Sequence, residues 1–249
     1  MAGAEAYSAS GGPNGVLVLH GFTGNPSSMR PLAVRLADAG LAVELPRLPG
    51  HGTSVDDMVS TTWADWSGAA EAAYLDLAGR CDAVAVVGLS MGATLACWLA
   101  ERHVEVTGVA VINPLVTAPE ASLVSLINEM LATGTTVAPG IGSDIAKPDN
   151  QELAYPETPL AAVLSLYEAA GAVGANLGAV RCPVLLFSSR QDHVVSATNG
   201  DLVVAESGGR VERVWLERSA HVATLDWDAP QLEAATVNFV SGVTVAEPA

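Results

Sequence analysis

Positive charge is what this chain has least of. Only 11 Lys plus Arg stand against 27 Asp plus Glu in 249 residues, a formal net charge of -16. So acidic a surface repels phosphate backbones and anionic membranes, which argues against nucleic acid as a partner and favours a neutral substrate over an anion. Charge of either sign is scarce, at 15%, while hydrophobic residues make up 50%. That balance argues against disorder and provides for a sizeable buried core, with the net charge keeping an apolar protein in solution. Cysteine is nearly missing. Cys81, Cys97 and Cys182 are odd in number and widely spaced, and no His pair sits at metal-ligand distance, so neither a disulfide framework nor a metal site is expected. The three read as buried, reduced thiols of a cytoplasmic protein. Met1 to Gly15 has no basic start and no apolar stretch, so it does not read as a signal peptide. Ala83 to Ala100 carries no charge for 18 residues, a length that alone would allow a membrane span. Gly88, Ser90 and Gly92 break its middle, and a β-branched half precedes a helix-forming half. It reads as a buried strand, a tight turn and a buried helix, with no integral membrane contact.

What is present is a regular alternation. Short apolar runs at Val16–Leu19, Leu41–Leu45, Ala83–Val87, Val109–Ile112, Val184–Phe187 and Val211–Leu216 predict buried strands. Between them lie helical patterns. Ser27 or Ser28 can cap a helix with Met29, Leu32 and Leu36 on one face, stopping at Gly40. Thr62 can cap a second, on which Trp63, Trp66, Ala70, Ala73 and Leu77 recur at helical spacing before Gly79. Ala93–Arg102 and Gln231–Val240 are two more. Strands alternating with helices predict an α/β fold with a mostly parallel sheet flanked by helices. From about Leu115 to Val180 no convincing strand is visible, and a connection of that length is usually functional. The expected division is a core of residues 1–114 and 181–249 with a small helical cap insertion at 115–180, set over the carboxyl ends of the strands.

Gly88-Leu89-Ser90-Met91-Gly92 matches G-x-S-x-G between a predicted strand and helix, the setting that motif requires. A hydroxyl attacks only when a base takes its proton, and it must stand clear of the backbone. A sharp strand-to-helix turn does this at the cost of strained dihedrals and close approach of neighbouring chain, for which flanking glycines leave room. The helix N-terminus favours the developing negative charge. In this architecture the partners follow in the order acid, then His. Of the later histidines, His221 lies in a loop after Val211–Leu216, at the same rim as Ser90. His103 reads as a charge closing a helix, and His193 is beside Asp192 and poorly placed to face two partners. Asp192, a short loop after Val184–Phe187, is the expected acid. Asp201 and Asp226 are weaker candidates, one on a predicted helix and the other downstream of the histidine. Asp192 would hold the His221 tautomer. Backbone N–H groups of Met91 and Phe22, the latter in His20-Gly21-Phe22-Thr23-Gly24, are the expected oxyanion donors.

These stretches, with Leu48-Pro49-Gly50-His51-Gly52, Asp192-His193-Val194-Val195 and His221-Val222-Ala223-Thr224-Leu225-Asp226, resemble the bacterial carboxylesterase and monoacylglycerol lipase group of α/β-hydrolases over nearly the whole chain. Ile141-Gly142-Ser143-Asp144 and Glu152-Leu153-Ala154-Tyr155-Pro156-Glu157-Thr158-Pro159 resemble the cap of the lipases, whereas Leu115 to Pro139 departs from it. The resemblance implies the α/β-hydrolase fold, Ser90, Asp192 and His221 as a catalytic set, and Phe22 with Met91 as oxyanion hole. It also implies that Glu152 and Ile141 bind the substrate's glycerol head. No cofactor or metal is implied. The expected activity is serine hydrolysis of monoacylglycerols or similar medium-chain acyl esters. A general carboxylesterase, a thioesterase and a ligand-binding member with incidental hydrolysis are the alternatives. The partner is a small ester or lipid, and the sequence leaves a homodimer open.

Overall fold

The computed structural model describes residues 1–244. Seven strands form one sheet: β1 (Tyr7–Ala9), β2 (Asn14–Leu19), β3 (Ala42–Leu45), β4 (Ala83–Leu89), β5 (Val106–Ile112), β8 (Val184–Ser189) and β9 (Val211–Leu216). Their order is β1-β3-β2-β4-β5-β8-β9, parallel except for β1, which runs antiparallel along β3 at the edge. The six expected strands are all present, several extended by two or three residues. β1 has no readable signal in the sequence because three residues are too few to establish a period. Strands β2, β4, β5 and β8 are buried almost throughout, as a parallel sheet covered on both faces requires.

Helices α1 (Arg30–Asp38) and α8 (Ala229–Thr244) cover one face, burying Leu32, Leu36, Leu232 and Val240. α3 (Trp63–Ala78) and α4 (Met91–Arg102) cover the other. Thr62 caps α3 as expected, in a capping box with Asp65. The expected serine cap of α1 does not form. Ser27 and Ser28 lie in a 3-10 turn whose cap is Asn25, its Oδ1 accepting the Ser27 N–H at 3.0 Å, and α1 starts at Arg30 beyond it. A further short helix, α2 (Val55–Val59), capped by Ser54, lies in the turn-rich segment after β3. The three cysteines are free, but only Cys97 is buried; Cys81 and Cys182 are half-buried. The uncharged run Ala83–Ala100 is β4, the turn and α4.

The 115–180 interval holds helices α5 (Ala121–Ala132) and α6 (Leu160–Asn176). It also holds two strands where none was expected, β6 (Val137–Pro139) and β7 (Glu157–Pro159), paired antiparallel. Each is three residues long and ends in proline, so neither gives an alternating pattern to read. Ile127 of α5 packs with Leu160 and Val163 in a small separate cluster. Further along α6, Leu166 and Val173 join α4 in the main core. The run Leu160–Ala179 is long and apolar enough to cross a membrane by length and composition, and 44% of an 18-residue window within it is buried in the fold.

Tyr155 ties the insertion to the chain after β3. It is 4% exposed; its hydroxyl donates to the Gly50 carbonyl at 2.8 Å and accepts the Thr53 N–H at 2.8 Å. Tyr155→Phe removes both hydrogen bonds, at a cost of about 2 kcal/mol. Thermal unfolding should shift down by roughly 4–8 °C; an unchanged Tm would mean the insertion is not anchored there.

Candidate active site

Strand register decides which loops meet. Leu19 pairs with Gly88, Leu89 with Ile112, Ile112 with Phe187 and Ser189 with Leu216. The loops bearing Phe22, Ser90, Asp192 and His221 therefore leave the sheet at one rim. Ser90 sits there at φ 55, ψ -116, a conformation sterically hostile to any residue with a Cβ and worth about 1–3 kcal/mol of strain. Its own N–H donates to the Ile112 carbonyl at 2.9 Å. The flanking glycines are sterically obligatory. A Cβ on Gly88 would lie 2.0 Å from the Gly92 carbonyl oxygen, and one on Gly92 would lie 2.2 Å from that of Leu19. β4, α4 and β2 touch backbone to backbone at this turn.

The expected acid and base meet. His221 Nδ1–H donates to Asp192 Oδ2 at 2.8 Å, with the two side chains 8% and 4% exposed. A carboxylate only accepts, so Nδ1 carries the proton and Nε2 is left as the basic atom. The other Asp192 oxygen accepts the N–H groups of Val194 and Val195, both at 2.8 Å, which fixes the carboxylate before any substrate arrives. Ser90 and His221 line one cavity, but among the described residues no direct hydrogen bond joins them; such bonds tighten when substrate binds. The rejected candidates lie elsewhere: His103 pairs with Glu71, His193 with Asp144, and Asp201 with Arg213. Asp226 supports the histidine loop instead, its Oδ2 accepting the Ala220 N–H at 2.8 Å. Asn113, read from sequence only as the close of a strand, has φ 45. Its Nδ2 donates to the His221 carbonyl at 2.8 Å and its Oδ1 accepts the Ser189 N–H at 2.8 Å. No local pattern announces either role.

The shared cavity has a volume of ≈ 340 Å³. It is lined by Ser90, His221, Phe22 and Glu152 and by Leu126, Ile127, Met130, Leu160 and Val163 of α5 and α6. Glu152 is not a solvated charge. Burial pushes its carboxyl up, with His221 and the Ser28 hydroxyl pulling the other way, and its Oε1 packs on Gly24, where a Cβ would stand 2.6 Å away. Ile141 also lines the cavity but is 69% exposed. Among the described residues, neither the Phe22 nor the Met91 N–H donates to another group of the protein, and Gly21 comes within 3.6 Å of the Ser90 Cβ measured from its own ideal Cβ position. A second, open hollow of ≈ 600 Å³ between α3, α4 and α6 has no histidine in its lining. Among the described residues no group of three or more His, Cys, Asp or Glu is placed to hold a metal ion.

A family model described as "Alpha/beta hydrolase family" matches residues 16–236. The chain belongs to the alpha/beta hydrolase family. It is 43% identical to a thermostable monoacylglycerol lipase of Bacillus sp. (strain H-257) over 247 residues, 96% of this chain and 95% of that protein. A solved structure from work on LipS and LipT, two metagenome-derived lipolytic enzymes, is 40% identical with a TM-score of 0.93, covering 97% of this chain and 99% of that one. The monoacylglycerol lipase of Paleococcus ferrophilus, 17% identical with a TM-score of 0.78 over 96% and 99% of the two chains, shares the fold.

In this alpha/beta hydrolase the loop after β2 is held by two buried histidines. His20 Nε2 accepts the Leu48 N–H at 3.2 Å, so its Nδ1–H donates to the Gly21 carbonyl at 2.9 Å. His51 Nδ1–H donates to the Pro49 carbonyl at 2.9 Å, and its ring stands edge-on to Trp66 and Phe22. Phe22 also packs edge-on to Trp66, so an aromatic nest sets the loop. Burial pushes both imidazoles down from 6.5, His20 to about 4 and His51 to about 3. The unfolded chain therefore binds protons below pH 6.5 that the folded rings refuse. Stability falls as pH drops from 6.5 towards 4, by up to about 1.4 kcal/mol per pH unit for each ring. His51→Asn keeps a donor towards Pro49 without the titration. Urea midpoints measured from pH 7 to 4 should decline less steeply for it than for the parent; parallel curves would refute the assignment.

Proposed function

We propose that this alpha/beta hydrolase is a serine carboxylic-ester hydrolase acting on monoacylglycerols or similar medium-chain acyl esters through an acyl-enzyme. The observation that carries the reading is that His221, bonded to Asp192, lines one cavity with a strained serine. Ser90 Oγ attacks the ester carbonyl carbon while His221 Nε2 takes its proton. Asp192 keeps the ring in that tautomer and stabilises it once protonated. Charge develops on the former carbonyl oxygen, facing the Phe22 and Met91 N–H groups and the N-terminus of α4. When the C–O bond breaks, the imidazolium gives its proton to the alcohol. Water then attacks the acyl-serine, His221 takes a proton from it, and Ser90 is regenerated as the acid leaves.

Residues 115–180 act as a cap in this reading, with the apolar wall of α5 and α6 receiving the acyl chain. Glu152 binds the head. A carboxylate seated beside the nucleophile can accept hydrogen bonds from two glycerol hydroxyls, and the lipase relative carries the name of such a substrate. Ile141 covers the head at the cavity mouth. The free thiols and acidic surface suit a cytoplasmic setting.

Pure protein should release acid from a monoacylglycerol, and Ser90→Ala should lower the rate by at least about 10⁴-fold; a Ser90→Ala protein with parent activity would refute the mechanism. Glu152→Gln should lower kcat/KM for monoacylglycerol by about 10–100-fold, the worth of a charged hydrogen bond, and that for a simple alkyl ester by less than about threefold. Equal losses on both substrates would remove Glu152 as the head-group reader.

A further inference from the structure

The acid and the base ride on separate loops, after β8 and after β9, and the sheet does not space those loops once its ladder has ended. One side chain from the insertion touches both. Asp144 Oδ2 accepts the His221 N–H at 3.0 Å and the His193 N–H, next to Asp192, at 3.0 Å. Its Oδ1 lies 2.8 Å from His193 Nδ1. The Asp144 carbonyl accepts the Val222 N–H at 3.0 Å. Its side chain is only 15% exposed. Burial opposes its charge, but the His193 and His221 N–H groups and the His193 ring hold the carboxyl below the usual range.

Other groups also join the two loops, Ser189 Oγ donating to the Ala220 carbonyl at 2.8 Å and Gln191 Nε2 to the Glu217 carbonyl at 3.1 Å, but none of them holds the His221 N–H. Asp226 joins the Ala220 N–H to the insertion at Ala146 and Lys147 but does not reach the Asp192 loop. Asn113 joins the His221 carbonyl to Ser189 at the end of β8, short of the residues beside Asp192. Asp144 alone among these three holds the N–H side of the base and the residue after the acid with one carboxylate. An error of about 1 Å in such a pair can cost on the order of 100-fold in rate.

We propose that Asp144 is a positioning residue for ester hydrolysis, a carboxylate by which the insertion sets the distance and orientation between the Asp192 and His221 loops. The proposal rests on the hydrolase reading above. It makes the insertion part of the machinery that aligns the base, in addition to a wall for the substrate.

The test uses a short alkyl ester, which needs neither the glycerol site nor the acyl wall. Asp144→Ala should lower kcat by about 10–100-fold with KM changed by less than about threefold. Asp144→Asn keeps an oxygen for the two N–H groups and should recover kcat to within about threefold of the parent. His193→Ala should also stay within about threefold, because the backbone bonds remain. Asp144→Ser, too short to span both loops, is the second variant should the alanine protein not fold, and its kcat should fall in the same range. A parent-like kcat in the alanine or serine variant, with or without a lower unfolding temperature, would overturn the proposal. So would a loss confined to KM, or an asparagine variant as impaired as alanine. Ser90→Ala is run beside them: activity surviving there sinks the hydrolase reading itself, whereas an inert Ser90→Ala with a parent-like Asp144→Ala sinks only the role of Asp144.

Discussion

The structure hangs on one backbone constraint, the forced conformation of Ser90. A non-glycine residue at φ 55, ψ -116 is unfavourable by about 1–3 kcal/mol and persists only where its surroundings over-determine it. Here the surroundings are three backbones in contact. The ideal Cβ positions of Gly88 and Gly92 fall on Gly92 and on Leu19, so β2, β4 and α4 converge at a point where no side chain fits. The same contact brings the loop after β2 against the serine and aims the helix N-terminus at it. The placement of Ser90, the approach of the Phe22 loop and the favourable dipole are consequences of one crowded turn.

The histidine loop meets the opposite problem, since it has no secondary structure to hold it. Its N–H donors are taken by aspartates instead. Arg218 and Ser219 donate to Asp228, Ala220 to Asp226, and His221 to the Asp144 carboxylate, with Val222 donating to the Asp144 carbonyl. A loop whose donors are all satisfied can sit buried without a ladder or helix. The acidic composition thus has two uses. Most carboxylates are solvated, and a few capture backbone N–H groups around His221. Because Asp144 comes from the insertion, the part of the chain that departs most from the alternating α/β rhythm contributes to that scaffold.

What could be read from the residues was whatever local pattern encodes. The apolar runs located six strands of the sheet, Trp66, Ala70 and Leu77 defined the buried face of α3, and the glycine-flanked serine announced its turn. The pairing of Asp192 with His221 followed from chain order and from each lying just past a strand end. Other features have no local signature. β1, β6 and β7 are three residues long, too short for a period to be read. α6 is apolar nearly all round, so its sequence does not reveal that one stretch joins the main core beside α4 and another the small cluster with α5. The roles of Asn113, Asp144 and Asp226 depend on captures across long sequence separations, such as Asp144 to His221 over 77 residues. Only the folded chain displays these.

The central claim is that Ser90 is the nucleophile and that the Phe22 and Met91 N–H groups await the oxyanion. The most direct measurement is the structure of the protein after reaction with an alkyl fluorophosphonate, which leaves a tetrahedral phosphonyl group in place of the ester intermediate. The account predicts a single adduct on Ser90 Oγ, with the phosphonyl oxygen about 3 Å from both N–H groups and the alkyl chain along α5 and α6. An adduct on another residue, no adduct at all, or a phosphonyl oxygen turned away from both donors would contradict it.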